Sequence, residues 1–377
     1  MILAELGTIV TGKTPSTKCK EYWNGCVPFV TPKDIQGTKH IFSTERNISD
    51  IGLISAKGVS LPPNSICVSC IGNIGYVGKT TTQCISNQQI NTIIPFSKVN
   101  SDYVYYLIKW LWPFFKNYEG QSTTLSILNK TQFSKIEIPK HSLQQQNAIA
   151  AVLNCFDDKI EENERINDNL ADLLQTIYQE RFDDAGLVAN QGTLSDICSY
   201  SRDKVAVSKL NISTYFSTEN MLSGKAGSTV ATSLPTTART TACHKGDTLV
   251  SNIRPYFKKI VYCEDECGCS TDVLCFTPDQ PQYSAYLFST LYVDKFFAFM
   301  VAGSKGTKMP RGDKQQIMTY PIVLPSEAAL DEFNAVVLPL IEQIYSNRAE
   351  NKRLSLLRNT LLPKLMSGEL DVSAIEL

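Results

Sequence analysis

Ile160-Glu-Glu-Asn-Glu-Arg-Ile-Asn167-Asp-Asn-Leu170 and Ile344-Tyr-Ser-Asn-Arg-Ala-Glu-Asn351-Lys-Arg-Leu354 are one pattern written twice, 184 residues apart. Asn163, Asn167, Leu170, Leu173 and Thr176 match Asn347, Asn351, Leu354, Leu357 and Thr360 without a gap, and the match runs back to Ser142 and Ser326. A fixed offset of this kind marks one supersecondary unit used twice. Within each copy, seam residues recur at alternating steps of four and three, the spacing of a supercoiled helix. The first seam is Ile149, Leu153, Phe156, Ile160, Asn163, Asn167, Leu170, Leu174 and Ile177. The second is Phe333, Val337, Leu340, Ile344, Asn347, Asn351, Leu354, Arg358 and Leu361. Ser142 with Gln145 forms a capping box, and Gly186 and Gly368 mark the helix ends. About 40 residues of helix span roughly 60 Å. Pro339 is expected to kink or split the second helix near its start.

A polar seam residue costs stability and fixes register. Asn163 and Asn347 lie midway along their seams, so antiparallel packing brings the asparagine layers face to face. The expectation is one intramolecular antiparallel coiled coil. The alternative is two helices that each pack on their own domain.

Upstream of each helix lies a second, looser repeat. Phe29-Val-Thr-Pro-Lys-Asp-Ile35 resembles Tyr215-Phe-Ser-Thr-Glu-Asn-Met221, and Asn64-Ser-Ile-Cys-Val-Ser-Cys-Ile71 resembles Gly246-Asp-Thr-Leu-Val-Ser-Asn-Ile253. Ile136-Glu-Ile-Pro139 resembles Ile322-Val-Leu-Pro325. The chain therefore divides into a first domain at 1–140, a helix at 141–186, a second domain at 187–325 and a helix at 326–377. Strands are expected at 65–71, 91–95, 248–253 and 272–276, and helices at 102–112 and 283–297. One scaffold carries two different surfaces.

The net charge of −1 hides a pattern. Residues 1–139 hold 13 basic side chains against 8 acidic, and 187–325 hold 14 against 11. The helical stretches are acidic: 4 against 10 at 140–186, and 5 against 8 at 326–377. Two basic blocks alternate with two acidic ones, and a nucleic-acid footprint fits the basic pair.

Twelve cysteines and an opening stretch broken by Glu5 point to reduced thiols in a cytoplasmic protein. Cys263, Cys267, Cys269 and Cys275 cluster, but their spacing matches no common zinc knuckle. His40, His141 and His244 show no metal spacing either. The apolar run 103–115 holds Lys109 and Pro113 and is too short to span a membrane. Gly7-Thr-Ile-Val-Thr-Gly12-Lys13-Thr14 fits the phosphate-loop spacing. Its interior is β-branched, Pro15 follows at once, and 16–20 offers no apolar helix face. A nucleotide-binding enzyme is thus the weakest of the readings considered. With no other catalytic constellation in view, a binding role is expected.

Each basic domain ends in a loop rich in glycine, hydroxyls and cations, at 120–130 and 303–314. Such groups hold phosphates, and Arg, Lys, Asn and Gln read base edges. The DNA-binding candidates in the first domain are Lys13, Thr14, Lys33, Asn73, Gln88, Gln89, Asn91, Ser122, Thr123 and Lys130. In the second they are Asn252, Arg254, Lys258, Lys259, Lys305, Lys308, Arg311 and Lys314.

The arrangement resembles the specificity subunits of type I restriction–modification systems. The resemblance rests on Leu6-Gly-Thr-Ile9 and Leu194-Ser-Asp-Ile197 at the domain starts, and on Thr11-Gly-Lys-Thr-Pro15 and Pro28-Phe-Val-Thr31. It extends to the closing segments Ile136-Glu-Ile-Pro139 and Pro321-Ile-Val-Leu-Pro325, to Gln144-Gln-Gln-Asn-Ala-Ile149, and to Lys364-Leu-Met-Ser-Gly-Glu-Leu370. It implies an α+β fold: two mixed α/β target recognition domains separated by two long helices, related by an internal pseudo-two-fold repeat. It also implies a non-catalytic subunit that reads a bipartite, asymmetric site on double-stranded DNA. Two modification subunits, adenine N6 methyltransferases using S-adenosylmethionine, would dock on the helices. Restriction subunits using ATP and Mg can join such a complex. No cofactor is expected in this chain. An orphan or regulatory DNA-binding adaptor is the alternative of the same architecture. Arg358, standing where the first seam has Leu174, departs from a symmetric picture.

Overall fold

A computed structural model describes residues 1–37, 39–120, 126–183 and 191–372. The chain forms two compact units, Met1–Glu162 with Glu350–Leu377, and Asn163–Ala349. Each unit thus contains one basic domain and portions of both long helices.

In the first unit, the short apolar run Ile66–Ser69 is buried along its whole length and lies mid-sheet. Its neighbours are Ile90–Pro95 and Val77–Thr80, both antiparallel to it. Gly7–Thr11 pairs outside Ile90–Pro95, and His40–Ile41 closes the other edge in parallel. A run apolar on both faces is what a strand covered on both sides requires. The covering element is the helix Ser101–Trp110, with Tyr103 to Ile108 all buried. Asn100 caps it by accepting from the Tyr103 amide at 3.0 Å. The apolar run does not stop at Pro113. A new helix, Trp112–Gly120, begins there, and Pro113 sits in its first turn, where a missing N–H costs nothing.

The second unit repeats this order. Cys198–Tyr200, Val273–Pro278, Thr248–Ser251 and Ile260–Tyr262 lie side by side, all antiparallel. A second sheet holds Lys204–Ala206, Arg239–Cys243, Cys267–Cys269 and Tyr215–Phe216. The helix expected at 283–297 is two helices, Ser284–Tyr292 and Asp294–Ala302, because Val293 is extended between them. Among the described residues no single helix is long and apolar enough to cross a membrane.

The long helices are Leu143–Tyr178, ending in a π-helical turn at Gln179–Asp183, and Glu327–Ser367. At ~1.5 Å per residue they measure roughly 54 and 62 Å. The Ser142 capping box is present in both directions, Ser142 N to Gln145 Oε1 at 2.9 Å and Gln145 N to Ser142 Oγ at 3.3 Å. Gly368 ends the second helix with φ +78°, a left-handed value that suits glycine. Gly186 lies outside the described residues. Pro339 does not break its helix. It sits on an exposed face, where water can satisfy the carbonyl that it leaves without a donor.

Within each unit the two helices run antiparallel. In the first, Asn351 Nδ2 donates to Ile160 O at 3.4 Å, and Arg358 pairs with Asp157. In the second, Asn347 Nδ2 donates to Asn167 Oδ1 at 2.9 Å, and Phe333 packs on Phe182 at 5.1 Å. The asparagine pairing is one turn from the expected one: the partner of Asn347 is Asn167, with Asn163 buried alongside. The seam also shifts at two equivalent points. Asp157 and Ile341 are buried, while Phe156 and Leu340 are only half-buried. Leu153, Ile344 and Val337 are buried, and Ile160, Leu170, Asn351 and Leu354 half-buried. A helix of 3.6 residues per turn drifts off a strict 3.5 repeat, and here the drift moves the buried stripe by one residue.

Candidate nucleic-acid interface

The loops that follow equivalent strands define the candidate surface. In the first unit the hairpin between Ile66–Ser69 and Val77–Thr80 turns through Gly72 (φ +77°) and Gly75 (φ +95°). It is stitched to the segment after residue 125. Ile71 forms a β-bridge with Ile127, Gly72 N donates to Ser126 O at 3.1 Å, and Leu128 N donates to Cys70 O at 2.9 Å. The second unit has the same stitch. Ile253 bridges to Arg311, and Arg254 N donates to Pro310 O at 2.8 Å. Two divergent sequences thus hold equivalent loops together in the same way.

In the first unit Gly12, Lys13 and Thr14 leave the edge strand beside the turn at 87–89. Gly12 N donates to Ile90 O at 3.1 Å, and Thr14 Oγ1 donates to Gln88 Oε1 at 2.6 Å. Cys70 N donates to Gln89 O at 2.7 Å, which joins this turn to the Asn73 hairpin. Lys13, Asn73, Gln88 and Lys130 are exposed, and Thr14 and Gln89 half-buried. Lys33 lies in the turn after Trp23–Val30 and pairs with Glu45 at 3.4 Å, both exposed. Asn91 is different. It is 2% exposed, accepts from Thr11 Oγ1 at 2.7 Å and donates to Leu128 O at 3.2 Å. Its amide positions the loop from inside rather than facing a groove. Ser122 and Thr123 lie outside the described residues. The phosphate-loop spacing falls on the paired strand Gly7–Thr11, so its backbone amides serve a sheet.

In the second unit Asn252, 7% exposed, is likewise internal: its backbone bonds Asp272 O at 2.9 Å and accepts from Gly312 N at 3.3 Å. Arg311 pairs with Asp272 at 3.0 Å, and Lys258 with Asp294 at 2.7 Å. Lys305 pairs with Asp313. Hydrogen bonds from Lys225 and Lys258 hold the Asp294 carboxyl below its usual range. Lys259 Nζ donates to Thr218 O at 2.6 Å, and burial lowers its pKa. Lys314 lies 6.0 Å from the Tyr200 ring, and Lys308 is exposed. Several of these cations thus have acidic partners that a phosphate would have to displace.

Sequence reasoning missed the turn Pro255–Phe257 and the backbone that bounds it. Arg254 (φ +50°) and Lys258 (φ +51°) are both left-handed and neither is glycine. Arg254 is the counterpart of Gly72, so a strained arginine stands where the first unit has a free glycine. Arg254→Gly is expected to raise stability by up to about 1 kcal/mol by removing left-handed strain. It should weaken DNA binding by about 1–3 kcal/mol if the guanidinium reads a base. Urea unfolding and competition binding on the full chain check the two signs.

The cysteines are all free thiols. Cys243, Cys263, Cys267, Cys269 and Cys275 share one small core, with Cys263 and Cys267 sulfurs 3.6 Å apart. Among the described residues no group of His, Cys, Asp or Glu is arranged to hold a metal ion.

A family model described as "Type I restriction modification DNA specificity domain" matches residues 1–171. A type I specificity subunit of Methanocaldococcus jannaschii, MjaIX, is 27% identical over 99% of this chain and 93% of its own length. The HindI specificity subunit of Haemophilus influenzae is 37% identical over 36% of this chain and 30% of its own. The chain is thus similar to type I specificity subunits along almost its whole length, and the DNA specificity domain model matches its first 171 residues. A crystal structure of a type I S subunit from M. genitalium shares the fold, with a TM-score of 0.61 at 16% identity, covering 97% of this chain and 95% of that one.

Proposed function

We propose that this chain is the DNA-recognition subunit of a type I restriction–modification complex and reads a bipartite, asymmetric site. The observation that carries the reading is the repeated stitch, Ile71–Ile127 and Ile253–Arg311, which supports two different sets of side chains on one scaffold. Equivalent loops with different residues suit two different half-sites. The domain at 1–140 takes one half and the domain at 187–325 the other. The long helices are the docking platform for two adenine N6 methyltransferase subunits, with room for restriction subunits to join. Leu173 and Leu357, equivalent in the repeat and both exposed, suit that role. S-adenosylmethionine belongs to the methyltransferase, and ATP and Mg to the restriction subunit. The complex works in the cytoplasm, where the DNA is.

Methylome mapping in a host expressing the chain with its methyltransferase tests this. Adenine methylation is expected in one two-part motif, and exchanging residues 187–325 for another member's domain should change one half only. Change in both halves, or methylation independent of the chain, overturns the reading. A chain that binds DNA but never co-purifies with a methyltransferase is the adaptor instead.

A further inference from the structure

The hairpin tip of the second unit differs in kind from that of the first. Between Thr248–Ser251 and Ile260–Tyr262 the chain makes the single turn Pro255–Phe257, with left-handed residues at both ends. Tyr256 is 50% and Phe257 38% exposed, and their rings lie 4.8 Å apart. Two flat apolar rings therefore stand side by side in water.

The backbone beneath them is clamped on both sides. Arg254 N bonds Pro310 O, while Gly224 N bonds Phe257 O at 2.8 Å and Lys225 N bonds Lys258 O at 2.9 Å. Pro255, buried, fixes its own φ. The backbone that carries the rings cannot move away without breaking these bonds. Arg254, Lys258 and Lys259 flank the turn in sequence, and the Lys259 ammonium lies 5.9 Å from the Phe257 ring; Asp294 pairs Lys258 and Lys225. The first unit offers no counterpart: Ile74 is buried, and Tyr76 is half-buried against Trp112 at 5.5 Å.

Resting on the reading above, we infer that Tyr256 and Phe257 form an apolar wedge that enters the duplex at the second domain's half-site and unstacks one base step. Cations alone suit phosphates, and exposed rings alone suit any apolar surface. A ring pair on a clamped backbone and flanked by cations suits a polyanion with flat, stacked faces inside it. Unstacking costs less at flexible pyrimidine–purine steps, so this half-site is read through deformability as well as through base edges. The first half-site is not read that way.

The test uses the full chain assembled with its methyltransferase, on a duplex carrying the motif found by methylation mapping. 2-Aminopurine is placed at successive positions of the second half-site. Apart from the adenine that the methyltransferase itself extrudes, fluorescence is expected to rise several-fold at one further step and to stay low elsewhere. In Tyr256→Ser/Phe257→Ser this further rise should vanish and site affinity fall, with affinity for unrelated duplex unchanged and the thermal melt of the protein preserved. A mismatch at the wedged step should restore the variant's affinity, because the step is already weakened. Tyr256→Ser alone should give a partial loss. An intact footprint with no fluorescence rise beyond that adenine overturns the wedge and leaves the recognition reading standing. Absence of any sequence-specific footprint overturns the recognition reading itself. A variant that loses methyltransferase assembly but keeps the fluorescence rise makes the turn a protein contact, and the wedge fails.

Discussion

Arg358→Leu should destabilise the first unit by about 3–5 kcal/mol, the usual cost of removing one partner of a buried ion pair. Arg358 Nη1 reaches Asp157 Oδ1, and both side chains are nearly out of solvent. The other carboxylate oxygen accepts from Tyr106 Oη at 2.7 Å. Without the guanidinium, a buried carboxylate keeps only that hydroxyl. Some of the loss is offset: burial and the nearby Arg358 charge press the Lys109 ammonium down to about 8, and that repulsion goes too. The second unit shows the apolar version of the same layer. Asp157 corresponds to Ile341 and Arg358 to Leu174, both buried in that unit's core. Asp157→Ile with Arg358→Leu should therefore recover most of the single-variant loss. A deficit of about 1–3 kcal/mol should remain, because Tyr106 loses its acceptor. Adding Tyr106→Phe should remove that deficit. Trp23, Trp110 and Trp112 all lie in the first unit, so tryptophan fluorescence in urea reports on it selectively. Strict additivity of Asp157→Ile and Arg358→Leu would show the layer to be uncoupled.

That layer also shows how far the sequence could be read. The doubled helix, its capping box and its antiparallel sense follow from apolar spacing and two asparagines, because packing one helix on another imposes a period. The strands at 66–69 and 248–251 are similarly legible as short apolar runs. Asp157 was not. A carboxylate beside Phe156 reads as the solvent face, and its partner lies 201 residues away. Only the fold brings a charge to meet it. Asn91 and Asn252 misled in the opposite direction. Polar residues at strand ends look like groove readers, yet the Asn91 amide is taken up by Thr11 and Leu128, and the Asn252 backbone by Asp272 and Gly312, so both lie inside the loop. The wedge turn was invisible because exposure and left-handed φ at Arg254 and Lys258 are properties of the clamped hairpin. Side-chain chemistry marks a basic surface in sequence; which members face outward is decided by the sheet behind them.

Asp102→Asn should likewise cost about 3–5 kcal/mol in the first unit, by leaving two buried ammonium groups without a counter-charge. Lys79 Nζ lies 2.8 Å and Lys39 Nζ 3.2 Å from the same Asp102 oxygen. Lys39 is held further by Asn154 Oδ1 at 2.5 Å and by the Tyr106 ring at 5.2 Å. One carboxylate thus joins the strand Val77–Thr80, the residue before His40–Ile41 and the first turn of the helix Ser101–Trp110. The helix N-terminus adds to its preference for negative charge. Burial by itself pushes the Asp102 carboxyl up, but the Lys79 hydrogen bond and the two lysine charges outweigh it, and the net shift is below the ordinary 3.8. A carboxyl lowered on folding stabilises the protein above its unfolded pKa, and that stability is lost as pH falls through the folded value. The difference between wild type and Asp102→Asn should hence be constant above about pH 5 and shrink below about pH 4, as the wild-type carboxyl takes its proton. Urea midpoints by tryptophan fluorescence from pH 3 to 7 give this curve. A difference that does not change with pH would mean that Asp102 acts through shape alone. A difference that shrinks on acidification identifies its charge as what holds Lys39 and Lys79 inside the fold.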